Sequence, residues 1–304
     1  MKKLNPHLRG TIEISIASVG FGFLGIFGKT AFENGLSVGE LLTYRFALAA
    51  LLIWIFLLLF RPSWIILKKR QIAIASLLGI FGYGLFSTLY FTAVEGLSVT
   101  LAALLLYTYP FWVNVFSHFF TKDKISLNEA LCLVAGSAGL VILLWGHIEV
   151  KNVLAILAGL AAAISYAIYV MVSGRLQKNV RPISSTLYVI TAGALALLIF
   201  HHPHIEKLPE LTKAQGNSIL GLAIICTIIP LTLELSALQK IKSSTVALLM
   251  MIEPITAAIL GALIFHERLT GLQLVGAVII LASLTANTIY AQKSAATASE
   301  TPQI

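Results

Sequence analysis

The chain has 304 residues, of which 58 % are hydrophobic and only 11 % charged; an ordinary soluble domain carries about 25 % charged residues. With a mean hydropathy of +0.91, this excludes a cytosolic enzyme, a disordered chain and a nucleic-acid-binding module, and points to an integral membrane protein. The formal charge of +8 therefore bears on which loops stay inside the cell rather than on nucleic acid.

A membrane-crossing helix needs about 20 largely apolar residues. Stretches of that kind occupy residues 10–32, 36–60, 71–92, 98–120, 127–146, 152–174, 183–201, 217–238, 243–265 and 270–291. They predict an all-α integral membrane protein with ten transmembrane helices, here called spans 1 to 10. Period-two alternation is absent, which argues against a β-barrel. The apolar run behind the basic N-terminus is too long for a signal-peptide core and has no clear cleavage site, so it reads as a retained first span. The small, polar residues 292–304 predict a disordered tail. Cys132 and Cys226 both lie in apolar stretches, so no disulfide framework is implied.

Ten spans put both termini on one side. One set of loops holds 15 of the 21 Lys and Arg residues, the opposite set holds 5, and Arg45 lies within a span. By the positive-inside rule both termini are expected in the cytoplasm, with the protein in the cytoplasmic (inner) membrane.

An offset of 144 residues lays Pro110 on Pro254 and Ala103-Leu104-Leu105 on Ala247-Leu248-Leu249. It also lays Lys122-Asp123-Lys124-Ile125-Ser126 on His266-Glu267-Arg268-Leu269-Thr270. The chain thus divides into residues 1–147 and 148–291, two five-helix repeats. Because five is odd, the second copy enters the membrane from the opposite face, the inverted arrangement found around midplane transport sites.

Two segments resemble a known family. Thr43-Tyr44-Arg45-Phe46-Ala47-Leu48-Ala49-Ala50 is similar to the Arg-Phe motif of the drug/metabolite transporter superfamily, EamA type. Glu253-Pro254, Gly261 and His266-Glu267-Arg268-Leu269-Thr270-Gly271-Leu272-Gln273 resemble its second-repeat signature. The first copy departs from it: Tyr109 stands where the second has Glu253, so no symmetric pair of membrane carboxylates is available. The resemblance implies a carrier of small metabolites, often an exporter of amino acids. It also implies a central cavity lined by spans 1, 3, 4, 6, 8 and 9, with spans 5 and 10 peripheral.

Charge buried in hydrocarbon is the strongest functional signal, because it costs a few kcal/mol. Arg45 lies about 13 Å from the outer surface and Glu253 about 15 Å from the inner one, at 1.5 Å of rise per residue. Both are near the midplane, where they could pair. Arg45 could hold a substrate carboxylate, with Glu253 as amine partner or proton carrier; the alternative is a structural ion pair. Glu234, about 25 Å from the outer face, could snorkel to the cytoplasmic interface.

Pro110, Pro230 and Pro254 each remove a helix hydrogen bond, freeing the carbonyls of Leu106, Cys226 and Met250. They are expected as kinks flanking the cavity. Tyr83, Phe86, Ser87 and Tyr90 share one face of span 3. With Tyr109 and Trp112 on span 4 they could form an aromatic wall; Tyr166 and Tyr169 make a similar pair on span 6. Gly20, Gly22, Gly25 and Gly28 allow close helix approach. His118, and the His201-His202-Pro203-His204-Ile205-Glu206 segment, read as an interior histidine and a solvated loop, since the spacing is not that of a zinc site.

The expected function is a secondary transporter of a small-molecule substrate in a lipid bilayer, with protons as a candidate coupling ion and no cofactor or metal. A drug or lipid-linked sugar carrier is the alternative within the superfamily. A membrane-embedded enzyme is disfavoured, because the spans offer Arg45, Glu253, Glu234 and one His, with no His-rich or paired-Asp constellation and no nucleotide-binding loop. Oligomeric state is left open.

Overall fold

The computed structural model describes residues 5–97, 99–121, 126–145, 150, 152–203, 208, 210–264 and 269–300. Among these there is no strand, only an isolated bridge between Leu97 and Val150. The first half comprises α1 (Pro6–Gly22), α2 (Leu24–Glu33), α3 (Val38–Phe60), α4 (Lys69–Leu77), a π-turn (Leu78–Gly84), α5 (Leu85–Gly96), α6 (Val99–Leu106), α7 (Tyr109–Thr121) and α8 (Leu127–Leu143). The second comprises α9 (Leu154–Leu176), α10 (Pro182–His201), α11 (Lys213–Ala223), a π-turn (Ile224–Ile228), α12 (Ile229–Ala237), α13 (Ser243–Leu249), α14 (Ile252–Ile264) and α15 (Gly271–Glu300).

Eight of the resulting helical stretches are long and apolar enough to cross a membrane. Two more, Leu101–Ser117 and Leu127–Leu143, are apolar but shorter, at the lower limit of a span. The ten expected stretches thus become eight full-length helices and two short ones. Large apolar side chains such as Leu59, Phe60 and Leu263 stand outward, as the acyl-chain face of a membrane protein requires.

Helix starts follow local chemistry. Ser37 with Glu40, Ser126 with Glu129, and Thr212 with Gln215 form reciprocal capping boxes at α3, α8 and α11. Thr270 and Gln273 make the same pair of bonds ahead of α15. Each satisfies two of the backbone donors that a helix start leaves free. The boxes before α8 and α15 are 144 residues apart, the same offset that lays Pro110 on Pro254. That offset also carries the first π-turn onto residues 222–228, which contain the second.

The α1 helix lies against α12, α13 and α14; α9 packs on α5 and α7; and α8 pairs chiefly with α15. At the end of the bundle where α1 begins, the Lys240 ammonium bonds the Glu13 carboxylate at 2.7 Å and the Ser236 hydroxyl at 2.6 Å. Lys242 lies 3.8 Å from Glu129. The Gln239 amide donates to the Gln177 and Val180 carbonyls at 3.0 and 2.7 Å. These bonds tie the turn between α12 and α13 to α1, α8 and the α9–α10 connection. That end is sealed.

Two expectations change. Pro110 and Pro254 fall in the first turns of α7 and α14, directly after a break, where the missing N–H is one the helix start would leave unpaired anyway. Pro230 instead follows the π-turn inside the continuous stretch Lys213–Ala237, and its missing N–H frees the Cys226 carbonyl as expected. The tail differs as well: α15 continues through residue 300, covering residues 292–300, where Ala, Gln and Lys are good helix formers. Residues 301–304 lie outside the described residues. So do the charged turns 122–125 and 265–268, residues 204–207 of the histidine segment, and the side chain of His118. His201 closes α10, and His202 takes a left-handed φ of 42°.

Candidate functional site

Spans 4 and 9 are each broken in mid-membrane, at Tyr107-Thr108 and at Met250-Met251. A break strands carbonyls, and in a dry interior each needs a donor. After the span 9 break, the N–H groups of Met251 and Glu253 turn back to the Leu248 and Met250 carbonyls, both at 3.0 Å. This leaves Ala247 and Leu249 without their usual backbone donors. The Tyr109 hydroxyl supplies Ala247 at 3.1 Å, while Ser18 Oγ, whose proton goes to the Ile14 carbonyl of its own helix at 2.8 Å, lies 3.3 Å from the Leu249 carbonyl. Tyr109 thus joins the span 4 break to the span 9 break.

The π-turn of span 8 is completed in the same way. Pro230 cannot donate to the Cys226 carbonyl, and Arg45 Nη2 does so instead at 3.0 Å. Arg45 Nε donates to Thr227 Oγ1 at 2.6 Å, and Thr227 Oγ1 in turn donates to the Leu222 carbonyl at 2.8 Å. The guanidinium, 4 % exposed, is therefore engaged with span 8. Among the described residues no ion pair joins it to Glu253.

Glu253 opens α14 one residue after the break. It is half-buried, and the Tyr107 side chain interacts with its carboxylate. Span 1 reaches the same place through glycine. A side-chain carbon on Gly22 would lie 2.6 Å from Thr256 Cβ and 3.1 Å from the Glu253 carbonyl. One on Gly20 would lie 2.8 Å from the Ile225 carbonyl in the span 8 π-turn.

Aromatic rings connect these breaks. Tyr107 and Tyr109 are 6.4 Å apart, Tyr109 meets Tyr166 edge-on at 4.8 Å, and Tyr166 meets Phe86 at 4.8 Å. Tyr83 contacts Phe86 at 5.8 Å and Tyr169 at 5.7 Å, while Phe86 stacks on Tyr90 at 6.2 Å. The expected span 3 face, Tyr109 and Tyr166 thus come together. Trp112 does not join them: it packs on Phe111 and Phe116 of its own helix, at 5.5 and 6.2 Å. Its ring N–H is buried with no partner among the described residues.

Glu234 is fully buried rather than snorkelling. Its Oε1 accepts a bond from the Tyr166 hydroxyl at 3.0 Å. A separate groove of about 610 Å³, lined by Leu78, Phe81, Leu85, Ile164, Ile168 and Val172 among others, opens sideways between spans 3 and 6. Its apolar walls suit acyl chains.

The pattern of the EamA-like transporter family matches this sequence twice, over residues 8–145 and 153–289. The chain belongs to the EamA-like transporter family. The uncharacterized transporter YcbK of Bacillus subtilis is 28 % identical over 285 residues, covering 90 % of this chain and 91 % of the relative. A probable amino-acid metabolite efflux pump of Salmonella typhimurium is 25 % identical, covering 76 % of this chain and 82 % of its own. The threonine/homoserine exporter RhtA of the same species is 25 % identical, covering 90 % and 86 %. One solved crystal structure superposes with a TM-score of 0.78 at 17 % identity, covering 93 % of this chain and 98 % of that one; it supports the fold alone.

In this EamA-like transporter, two residues at the site escape sequence reasoning. Tyr107 lies in an apolar run with no charge beside it, and its link to Glu253 exists only because two broken helices meet. Ser18 carries no motif, and only the packing of α1 brings it within 3.3 Å of the Leu249 carbonyl. Glu234 was visible as membrane charge, but depth along a helix says nothing about what covers its end.

Proposed function

We propose that this chain is a secondary transporter that exports amino acids or related small metabolites across the cytoplasmic membrane by alternating access. Two inverted five-helix halves, residues 1–147 and 148–291, move about a midplane site, with both termini in the cytoplasm. The observation that carries this reading is the meeting of the two broken spans at a half-buried acid: Glu253 and Tyr107 sit where spans 4 and 9 lose their helical bonds. The names of the two Salmonella relatives support the substrate class, and the double family match together with the shared offset of boxes, π-turns and breaks supports the repeat.

In this reading Glu253 receives the substrate's ammonium. Tyr107 orients the carboxylate, and Tyr90, Phe86, Tyr109 and Tyr166 offer apolar walls to the substrate body. Tyr83 backs Phe86, Trp112 lies outside the first contact layer, and Arg45 braces the span 8 π-turn. Uptake into proteoliposomes, run over a panel of amino acids including threonine and homoserine, tests the substrate class. Saturable transport of at least one is expected, and failure of every amino acid would exclude the class.

A further inference from the structure

We propose that Glu234 is the proton-carrying group of the transport cycle, distinct from Glu253, which meets the substrate. This rests on the transporter reading above. Glu234 is 0 % exposed. One carboxyl oxygen is held by Tyr166 at 3.0 Å; the other, Oε2, is buried with no hydrogen-bond partner among the described residues. An ionised carboxylate with an empty lone-pair side in a dry interior is heavily penalised, whereas the neutral acid is not.

No neighbouring charge offers the carboxylate a counter-ion. The titratable groups on the elements packed around it include His7, Arg9 and Glu13 on α1, Arg45 on α3, Tyr83 in the first π-turn, Tyr109 on α7, Tyr166 and Tyr169 on α9, Tyr188 and His201 on α10, Cys226 in the second π-turn, and Glu253 on α14. Glu13 is bonded to Lys240 and Arg9, Arg45 is bonded to Cys226 and Thr227, and Glu253 interacts with Tyr107. The Tyr169 hydroxyl is itself buried without a partner among the described residues. Two acids therefore sit in two settings, one half-buried at the helix break, the other fully buried with one oxygen unpartnered among the described residues.

The position of Glu234 explains how its proton is gated. Tyr166 and Tyr109, 4.8 Å apart, close the route toward Glu253. The Lys240–Glu13 bond closes the route past Ser236 on the same helix. Tyr109 is anchored to the Ala247 carbonyl at the span 9 break, so rearrangement of that break pulls directly on the ring covering Tyr166. When either closure opens, water reaches Oε2 and takes the proton, leaving the carboxylate. The proton is regained from water on the opposite side.

Infrared spectroscopy of the purified protein in lipid nanodiscs reads this protonation without any substrate. A neutral carboxylic-acid band is expected at neutral pH in the wild type. It should persist in Glu253→Gln, shift in Tyr166→Phe, which keeps the acid but removes its bond, and vanish in Glu234→Gln. Absence of the band in the wild type, or its survival in Glu234→Gln, would overturn the proposal. In proteoliposomes, a one-unit pH gradient should support about tenfold accumulation at one proton per substrate, and Glu234→Gln should abolish accumulation while exchange continues. Transport that ignores the pH gradient, or that a sodium gradient drives instead, overturns the proton role and leaves the transporter reading standing. No transport of any amino acid overturns that reading and this one with it.

Discussion

Glu253→Gln is expected to reduce substrate flux at least tenfold while leaving the protein folded. The amide keeps the shape of the side chain and an oxygen that can still face Tyr107, so the helix break keeps its local contact. Only the negative charge is lost. An ammonium 4 Å from a carboxylate gains about 4 kcal/mol at an effective dielectric of 20. A third of that already amounts to a factor of ten, which is why a large effect is expected even after screening inside a wet cavity. Flux measured beside a size-exclusion profile separates the cases. Flux within twofold of wild type would remove Glu253 from the site, and loss of the monodisperse peak would make its role structural.

Gly22→Leu is expected to be the most damaging single change to span 1. Even the first added carbon would fall 2.6 Å from Thr256 Cβ and 3.1 Å from the Glu253 carbonyl, well inside van der Waals contact. Neither neighbour yields easily, since Thr256 is itself bonded to the Ile252 carbonyl at 2.9 Å. Overpacking of this kind costs about 1–3 kcal/mol. Here it would also lever α1 away from the first turn of α14 and displace the acid from Tyr107. A lowered melting temperature together with loss of transport is expected. Gly25→Leu is the control, because nothing lies within 4 Å of a carbon added at Gly25. Equal damage from both substitutions would mean that span 1 does not pack as described.

What could be read from the sequence was what composition and local rules control. Apolar length located the helices, and the 144-residue offset drew attention to Pro110 and Pro254. Proline chemistry also singled out Cys226 as a carbonyl in need of a donor, but not that Arg45, 181 residues away, would supply it. The same limit applies to Tyr109 and Ala247, 138 residues apart, and to Tyr166 and Glu234, 68 apart. Each pair belongs to different spans, and a helical period reports only which face of its own helix a residue occupies. The placement of Pro110 and Pro254 shows this limit from another side. A proline inside an apolar run reads as a kink, and only backbone accounting reveals that the helix has already stopped and restarted ahead of it.

Counterflow in proteoliposomes tests alternating access most directly. Vesicles loaded with an unlabelled substrate from the amino-acid panel and diluted into trace radiolabelled substrate should accumulate label transiently above its equilibrium level. A carrier whose site faces one side at a time exchanges internal for external substrate. Label that only equilibrates, with no overshoot at any loading concentration, would contradict the account.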